Sequence, residues 1–427
     1  MLKEYNNLKS LPFHYGWVIL VSGIIVMFSC LGLGRFALGM LLPSMGEALG
    51  LDYAQMGLIG TANFIGYMIS VFFAGRLSRR FGARITIASG LLIVGLSMCS
   101  IRTASGLWTA LLPYVLTGMG SGLANIPMMG LVAGWFARKW RGRAAGCMLI
   151  GNGLGIIFSG FMIPLLNRQI GPHGWRAGWL ILGIIATLSG VVAAVLLRND
   201  PHRCGLKPMG AEVAAEPAFG GNRITGSGKQ SIPERSKLIR IGLVYSLFGA
   251  SYAVYATFIV TALVAERGIG EQAAGVFWSS VGFLSLFSGL LAGFIADRFG
   301  RFPALAVVFV QFTCAYVCAL SSLPEIFLYL SVMLFGLSLW GIPTVMIAAV
   351  GDMVGPVRAA SVFGFITIFF GVGQILGPAV AGYIADLTGL FDSSFLMCGI
   401  LSAIGAIAAV RMSRFVAEGR ERDQAAR

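Results

Sequence analysis

Two stretches decide the fold: GRLSRRFGAR, residues 75–84, and GFIADRFGRF, residues 293–302. They are 218 positions apart, and each joins two long apolar runs through a short basic loop with glycines. At the same offset, GLDYAQMG (50–57) parallels GIGEQAAG (268–275). Further along, Ile126-Pro127 pairs with Ile342-Pro343, and Arg143-Ala144-Ala145 with Arg358-Ala359-Ala360, at offsets of 216 and 215. Loop motifs that agree in order and spacing mark an internal repeat, so the chain is two copies of one plan.

Outward from these loops lie twelve apolar runs, 16–42, 54–77, 85–101, 107–136, 144–166 and 177–197, then 238–264, 273–296, 303–320, 326–350, 359–385 and 393–412. Each is long enough to cross a bilayer as a helix. With 57% hydrophobic and 11% charged residues over 427 positions, the chain has too little polar surface for soluble domains, and mean hydropathy is +0.84. The runs are continuous rather than alternating, which excludes an outer-membrane barrel. The fold expected is an all-α membrane protein of twelve transmembrane helices in two pseudo-symmetric six-helix bundles, 1–198 and 237–427, joined by a polar cytoplasmic linker, 199–236, read as flexible. No small-residue cleavage site follows the first run, so that span is expected to be retained.

A formal net charge of +14 would suggest nucleic acid in a soluble protein. Here its distribution answers a different question, because cytoplasmic loops collect Lys and Arg. With the N-terminus inside, 26 of the 31 basic residues fall in inner segments and four (Arg102, Arg168, Arg176, Arg267) outside. Both termini are therefore expected in the cytoplasm, in a cytoplasmic (inner or plasma) membrane, with the bilayer and no nucleic acid as partner. The seven cysteines are odd in number and show no CxxC; six sit in apolar runs and read as small hydrophobes.

The loop form G-x-x-x-D-R-x-G-R, complete as Gly293, Asp297, Arg298, Gly300 and Arg301, resembles the signature of the major facilitator superfamily (MFS), and the resemblance covers essentially the whole chain. The first copy keeps Gly75, Arg80, Gly82 and Arg84 but has Arg79 where the acid is expected. More loosely, YGWVIL (15–20) and GWFARKWRGRAAG (134–146) resemble the oxalate/formate and monocarboxylate transporter branch, and GLGRFALGMLLP and FGVGQILGPAVAG resemble related uncharacterised bacterial permeases. That branch carries a basic residue in its eighth or eleventh span, and neither 273–296 nor 359–385 contains one, so a doubly charged substrate held by two cations is not expected. The resemblance implies alternating access and a latch between Asp297 and Arg143, or the helix N-terminus beside it, that closes the inner face; the length permits a functional monomer, and the residues give no reason to expect a cofactor or metal.

Arg35 is the one charge placed well inside a span rather than within a few residues of its end. Such a group is expensive in lipid and marks a site unless it merely snorkels to the interface. Its fork suits a carboxylate. All seventeen acids and the three histidines fall in loops or at helix ends, so no buried proton relay is expected, and the clusters of an enzyme are missing. Asn63, Tyr67, Asn125, Asn152, Tyr252, Tyr255, Trp278, Trp340 and Gln374 are the polar and aromatic candidates for a central cavity, each also readable as interhelical packing. Glycine clusters at 118–122, 151–155 and 371–377 suit close helix contacts. The expected function is secondary active or facilitative transport of a small organic anion, most simply a monocarboxylate. Efflux of amphipathic, drug-like compounds and a non-transporting membrane sensor are the alternatives.

Overall fold

The computed structural model describes residues 12–211 and 235–425, with the side chains of 356, 357, 360 and those beyond 413 excepted. Its helices follow the apolar runs. The first six are α1 (Gly16–Leu49), α2 (Tyr53–Phe81), α3 (Ala83–Ile101), α4 (Leu107–Trp135), α5 (Arg138–Ile170) and α6 (Gly174–Leu196). The second six are α7 (Arg235–Glu266), α8 (Glu271–Phe299), α9 (Arg301–Cys318), α10 (Ile326–Gly355), α11 (Ser361–Thr388) and α12 (Asp392–Ala425). A 3-10 turn at Gly171–His173 separates α5 from α6 within one long apolar helical run. Helical hydrogen bonding continues from α10 into α11 through Gly355, whose φ of 73° breaks the axis.

Local chemistry sets the turns. Asp52 accepts the Gln55 N–H at 2.7 Å and starts α2. The repeated loops share one backbone solution: Gly82 has φ 87° and ψ 152°, Gly300 φ 98° and ψ 160°. Only glycine takes that conformation without strain, so the duplicated motif is also a duplicated turn.

Within each half the helices pack as a bundle, with α3 against α4 and α6 on one side and α9 against α10 and α12 on the other. The halves meet along α5 and α8 and, as the symmetric counterpart, along α2 and α11. Glycines permit this approach: Gly57 lies against Gly382, and Gly160 against Gly275.

The linker departs from the flexible reading over its first part. Residues 199–211 fold back on the N-terminal half, where Met209 forms a parallel bridge with Phe136, accepting the Ala137 N–H at 3.0 Å and donating to Trp135 O at 2.8 Å. The extended break between α4 and α5 leaves backbone groups unpaired, and the linker satisfies them. Cys204 in this segment is buried, and burial pushes its thiol up, which keeps it protonated and unreactive. Segment 220–231 (GGNRITGSGKQS) lies outside the described residues. All seven cysteines are free.

Candidate functional site

The site begins with an irregularity in α1. Residues Phe28–Phe36 (FSCLGLGRF) wind as a π-helix, a widening that shifts carbonyls away from their usual partners. Neighbouring helices supply donors. Ser121 on α4 donates to Cys30 O at 2.6 Å, Asn63 Nδ2 on α2 to Gly34 O at 3.1 Å, and Tyr114 on α4 to Arg35 O at 3.1 Å. Gly32 makes the stretch fit, because a Cβ there would stand 2.9 Å from Gly155 Cα on α5.

Arg35 lies just past the middle of this 34-residue helix and is partly buried. A cation at such depth costs about 2.5–3.5 kcal/mol on insertion scales, so its partners matter. Nε donates to Asn63 Oδ1 at 3.3 Å, and the guanidinium lies over the rings of Phe64 (4.8 Å) and Tyr67 (4.6 Å). Each such contact contributes roughly 0.5–2 kcal/mol. Nη2 is buried with no partner, and among the described residues both ion pairs lie elsewhere, at Arg301. Tyr67 in turn accepts from Asn125 Nδ2 at 2.7 Å, leaving Asn125 Oδ1 buried and unpartnered.

The second half closes on this cluster with neutral groups. The Tyr252 hydroxyl on α7 lies within electrostatic reach of Arg35 and accepts from Gln374 Nε2 on α11. Tyr252 stacks on Phe248 (4.9 Å) and Phe370 (5.7 Å), and Phe370 on Tyr245 (4.5 Å), forming an aromatic wall.

The other candidates separate. Tyr255 turns away into the second bundle, stacked on Phe335 at 4.0 Å and bonded to Ser331 at 2.8 Å, so it does not join the cluster. Trp278 is fully buried where α8 meets Gly39 of α1, and Trp340 sets its ring edge-on to Phe36 at 5.8 Å. Asn152 on α5 is 0% exposed with neither amide atom bonded. Sequence reasoning missed Phe64, Tyr114, Ser121, Tyr245, Phe248 and Phe370. Tyr67 follows Phe64 by three positions and Asn63 by four, so it is a helix-surface neighbour of both, and that spacing is visible in the sequence.

The bundle-to-bundle contacts cluster at or beyond the middle, toward the end where α2 and α8 begin. Thr61 donates to Ile375 O (2.8 Å), Tyr53 meets Phe391 (4.7 Å), and Asn167 on α5, which also donates to Ser44 of its own half (3.1 Å), donates to Glu271 on α8 (2.8 Å). Above Asn167 lies a vestibule of about 670 Å³ with Glu47, Arg168 and Gln272 on its walls. Beside Arg35 the remaining void is about 10 Å³, room for about one water. At the opposite end, Asp297 pairs with Arg301 (2.6 Å), which also binds Asp352 (2.8 Å), while Arg143 lies over Trp140 (5.1 Å). Asp297 and Arg143 are thus each engaged within their own half. Arg80 and Arg298 cover their neighbours Phe81 and Phe299, and Gly75 and Gly293 have almost nothing beside them. Arg84 stands one place beyond the counterpart of Arg301 and ties α3 to α6, with Nε donating to Ala194 O at 2.5 Å and its N–H to Asn199 Oδ1 at 2.8 Å.

Comparison with known proteins gives this arrangement its family. The chain is 27% identical over 415 residues to the hexuronate transporter of Bacillus subtilis (strain 168), covering 90% of this chain and 91% of the relative. It is 27% identical over 363 residues to human (Homo sapiens) monocarboxylate transporter 2, covering 78% and 73%. Among solved structures, a bacterial homologue of the human lysosomal transporter Spinster, inward-facing and occupied, superposes with a TM-score of 0.75 at 15% identity, covering 94% and 97%. The nucleoside transporter NupG does so at 0.70 and 16%, covering 94% and 99%. These likenesses are to multi-pass membrane transporters rather than enzymes. The family described as "Uncharacterised MFS-type transporter YbfB" matches residues 27–410, and the chain belongs to that family of the major facilitator superfamily.

Proposed function

We propose that this protein carries a small organic anion across the cytoplasmic membrane by alternating access, with Arg35 as the anion's anchor. The observation that carries the reading is the buried, unpartnered Nη2 of a mid-helix arginine whose other contacts are neutral. A desolvated cation lacking a counter-charge is completed by an anionic ligand through charge-assisted hydrogen bonds. Hexuronate, monocarboxylate and hexose phosphate, the substrate names of several relatives, are all organic anions.

The 26-to-four distribution of basic residues supports cytoplasmic termini. On that orientation the contacts between halves seal the outer side, and Asp297 and Arg143 stand apart as an open inner latch. Closing the inner face brings them together, and the Asn167–Glu271 clasp then parts. A monomer suffices, since both halves of the site come from one chain.

The test is counterflow of radiolabelled carboxylates in proteoliposomes, with wild type beside Arg35→Gln. Saturable carboxylate counterflow that the substitution abolishes supports the proposal. Flux of cationic amphiphiles alone would favour efflux, and carboxylate binding without flux would favour a sensor.

A further inference from the structure

The cation is not the only unsatisfied group at the centre. Asn125 Oδ1 on α4 is buried and accepts nothing, although its own Nδ2 holds the Tyr67 hydroxyl at 2.7 Å. A second amide repeats the pattern: Asn152 on α5 is 0% exposed, and both its polar atoms lack partners. Its direction follows from its neighbours, since Gly151 and Gly155 touch α1, Gly153 touches Gly282 of α8, and Leu154 is 41% exposed on the outward side. At about 100° per residue, Asn152 therefore points inward, between α1 and α8. Leaving such groups buried and unpaired forfeits the hydrogen bonds they make with water.

A plain carboxylate satisfies Arg35 and leaves both amides as they are. We propose that the ligand is a hydroxylated carboxylate of the sugar-acid class, with Asn125 and Asn152 reading its hydroxyls; this rests on the anion reading above. The geometry sets its length. The guanidinium lies over the Tyr67 ring face and Asn125 sits past the hydroxyl tip of the same ring, so a ligand reaching both spans several carbon–carbon bonds. On the opposite side, Tyr252, Phe248 and Phe370 offer stacked rings against which the C–H face of a polyol chain or sugar ring packs. A site built around hydroxyl partners rejects analogues lacking them, because its own polar groups are then left buried and bare.

The experiment compares gluconate with hexanoate, two six-carbon monocarboxylates that differ in hydroxylation, by equilibrium binding to the purified full chain. Wild type is expected to bind gluconate at least about tenfold more tightly, and Asn125→Leu to shrink that ratio below about threefold while still binding hexanoate. Equal affinities in wild type, or tighter hexanoate binding, overturn the inference whether or not any variant folds, and leave the anion reading standing. A ratio unchanged in Asn125→Leu overturns the role of Asn125. Binding of neither compound overturns this inference and leaves the anion reading to the counterflow test.

Discussion

The two halves carry the same turn at equivalent loops and different chemistry at equivalent depth. Gly82 and Gly300 share backbone angles within about ten degrees of each other, 87° and 152° against 98° and 160°. At the centre the first half offers a π-helical stretch, a cation, the rings of Phe64 and Tyr67 and three amides, Asn63, Asn125 and Asn152, and the second offers Tyr252, Gln374 and a wall of stacked rings. A duplicated scaffold keeps its copies alike where the turn conformation demands it. The copies diverge where one ligand must be gripped from two sides.

The comparison breaks first at Arg35. Arg35→Gln is expected to lower affinity for a transported carboxylate by about 100-fold or more, the scale of a lost buried charge contact, whereas Tyr252→Phe across the site retains binding. Parallel titration calorimetry of the two variants checks this. Gly155→Val tests the packing that admits the π-helical stretch. Overpacking against Gly32 should destabilise by about 1–3 kcal/mol, read as a lowered melting temperature in detergent with a smaller effect in the more open Gly146→Val.

Tyr252→Phe removes one hydroxyl bonded to Gln374 and facing Arg35, so affinity should fall roughly three- to tenfold, about one hydrogen bond's worth. Gln374→Leu in addition should change little more, since the pair acts as a unit. The smallest effect on stability is expected at the loop ion pairs. Arg301 bridges Asp297 and Asp352, whose side chains are 72% and 61% exposed. Arg301→Gln should therefore shift stability by less than about 1 kcal/mol, and less again in high salt.

Much of this was legible in the sequence because membrane folds write themselves in long apolar runs and loop charges. The twelve helices, the repeat and the isolated Arg35 all came from such one-dimensional signals. The partners of Arg35 did not, because Phe64, Tyr114 and Phe370 are ordinary apolar or aromatic residues of membrane helices until their helices are placed side by side. Tyr255 illustrates the converse. Three positions from Tyr252 on one helix, it was an equal candidate by sequence, yet it faces Phe335 and Ser331 inside the second bundle. The loop motif points to the latch pair, but a contact made in one conformation leaves no mark of which conformation a given structure holds.

The central claim is that one positive charge on the first half selects the ligand. Its most direct test is the affinity of wild type and Arg35→Gln for the best-bound carboxylate and for the uncharged carboxamide of the same compound. Wild type is expected to prefer the carboxylate by about 100-fold, and the variant not to distinguish the two. An equal preference in the variant would place the anion's anchor elsewhere and contradict the account.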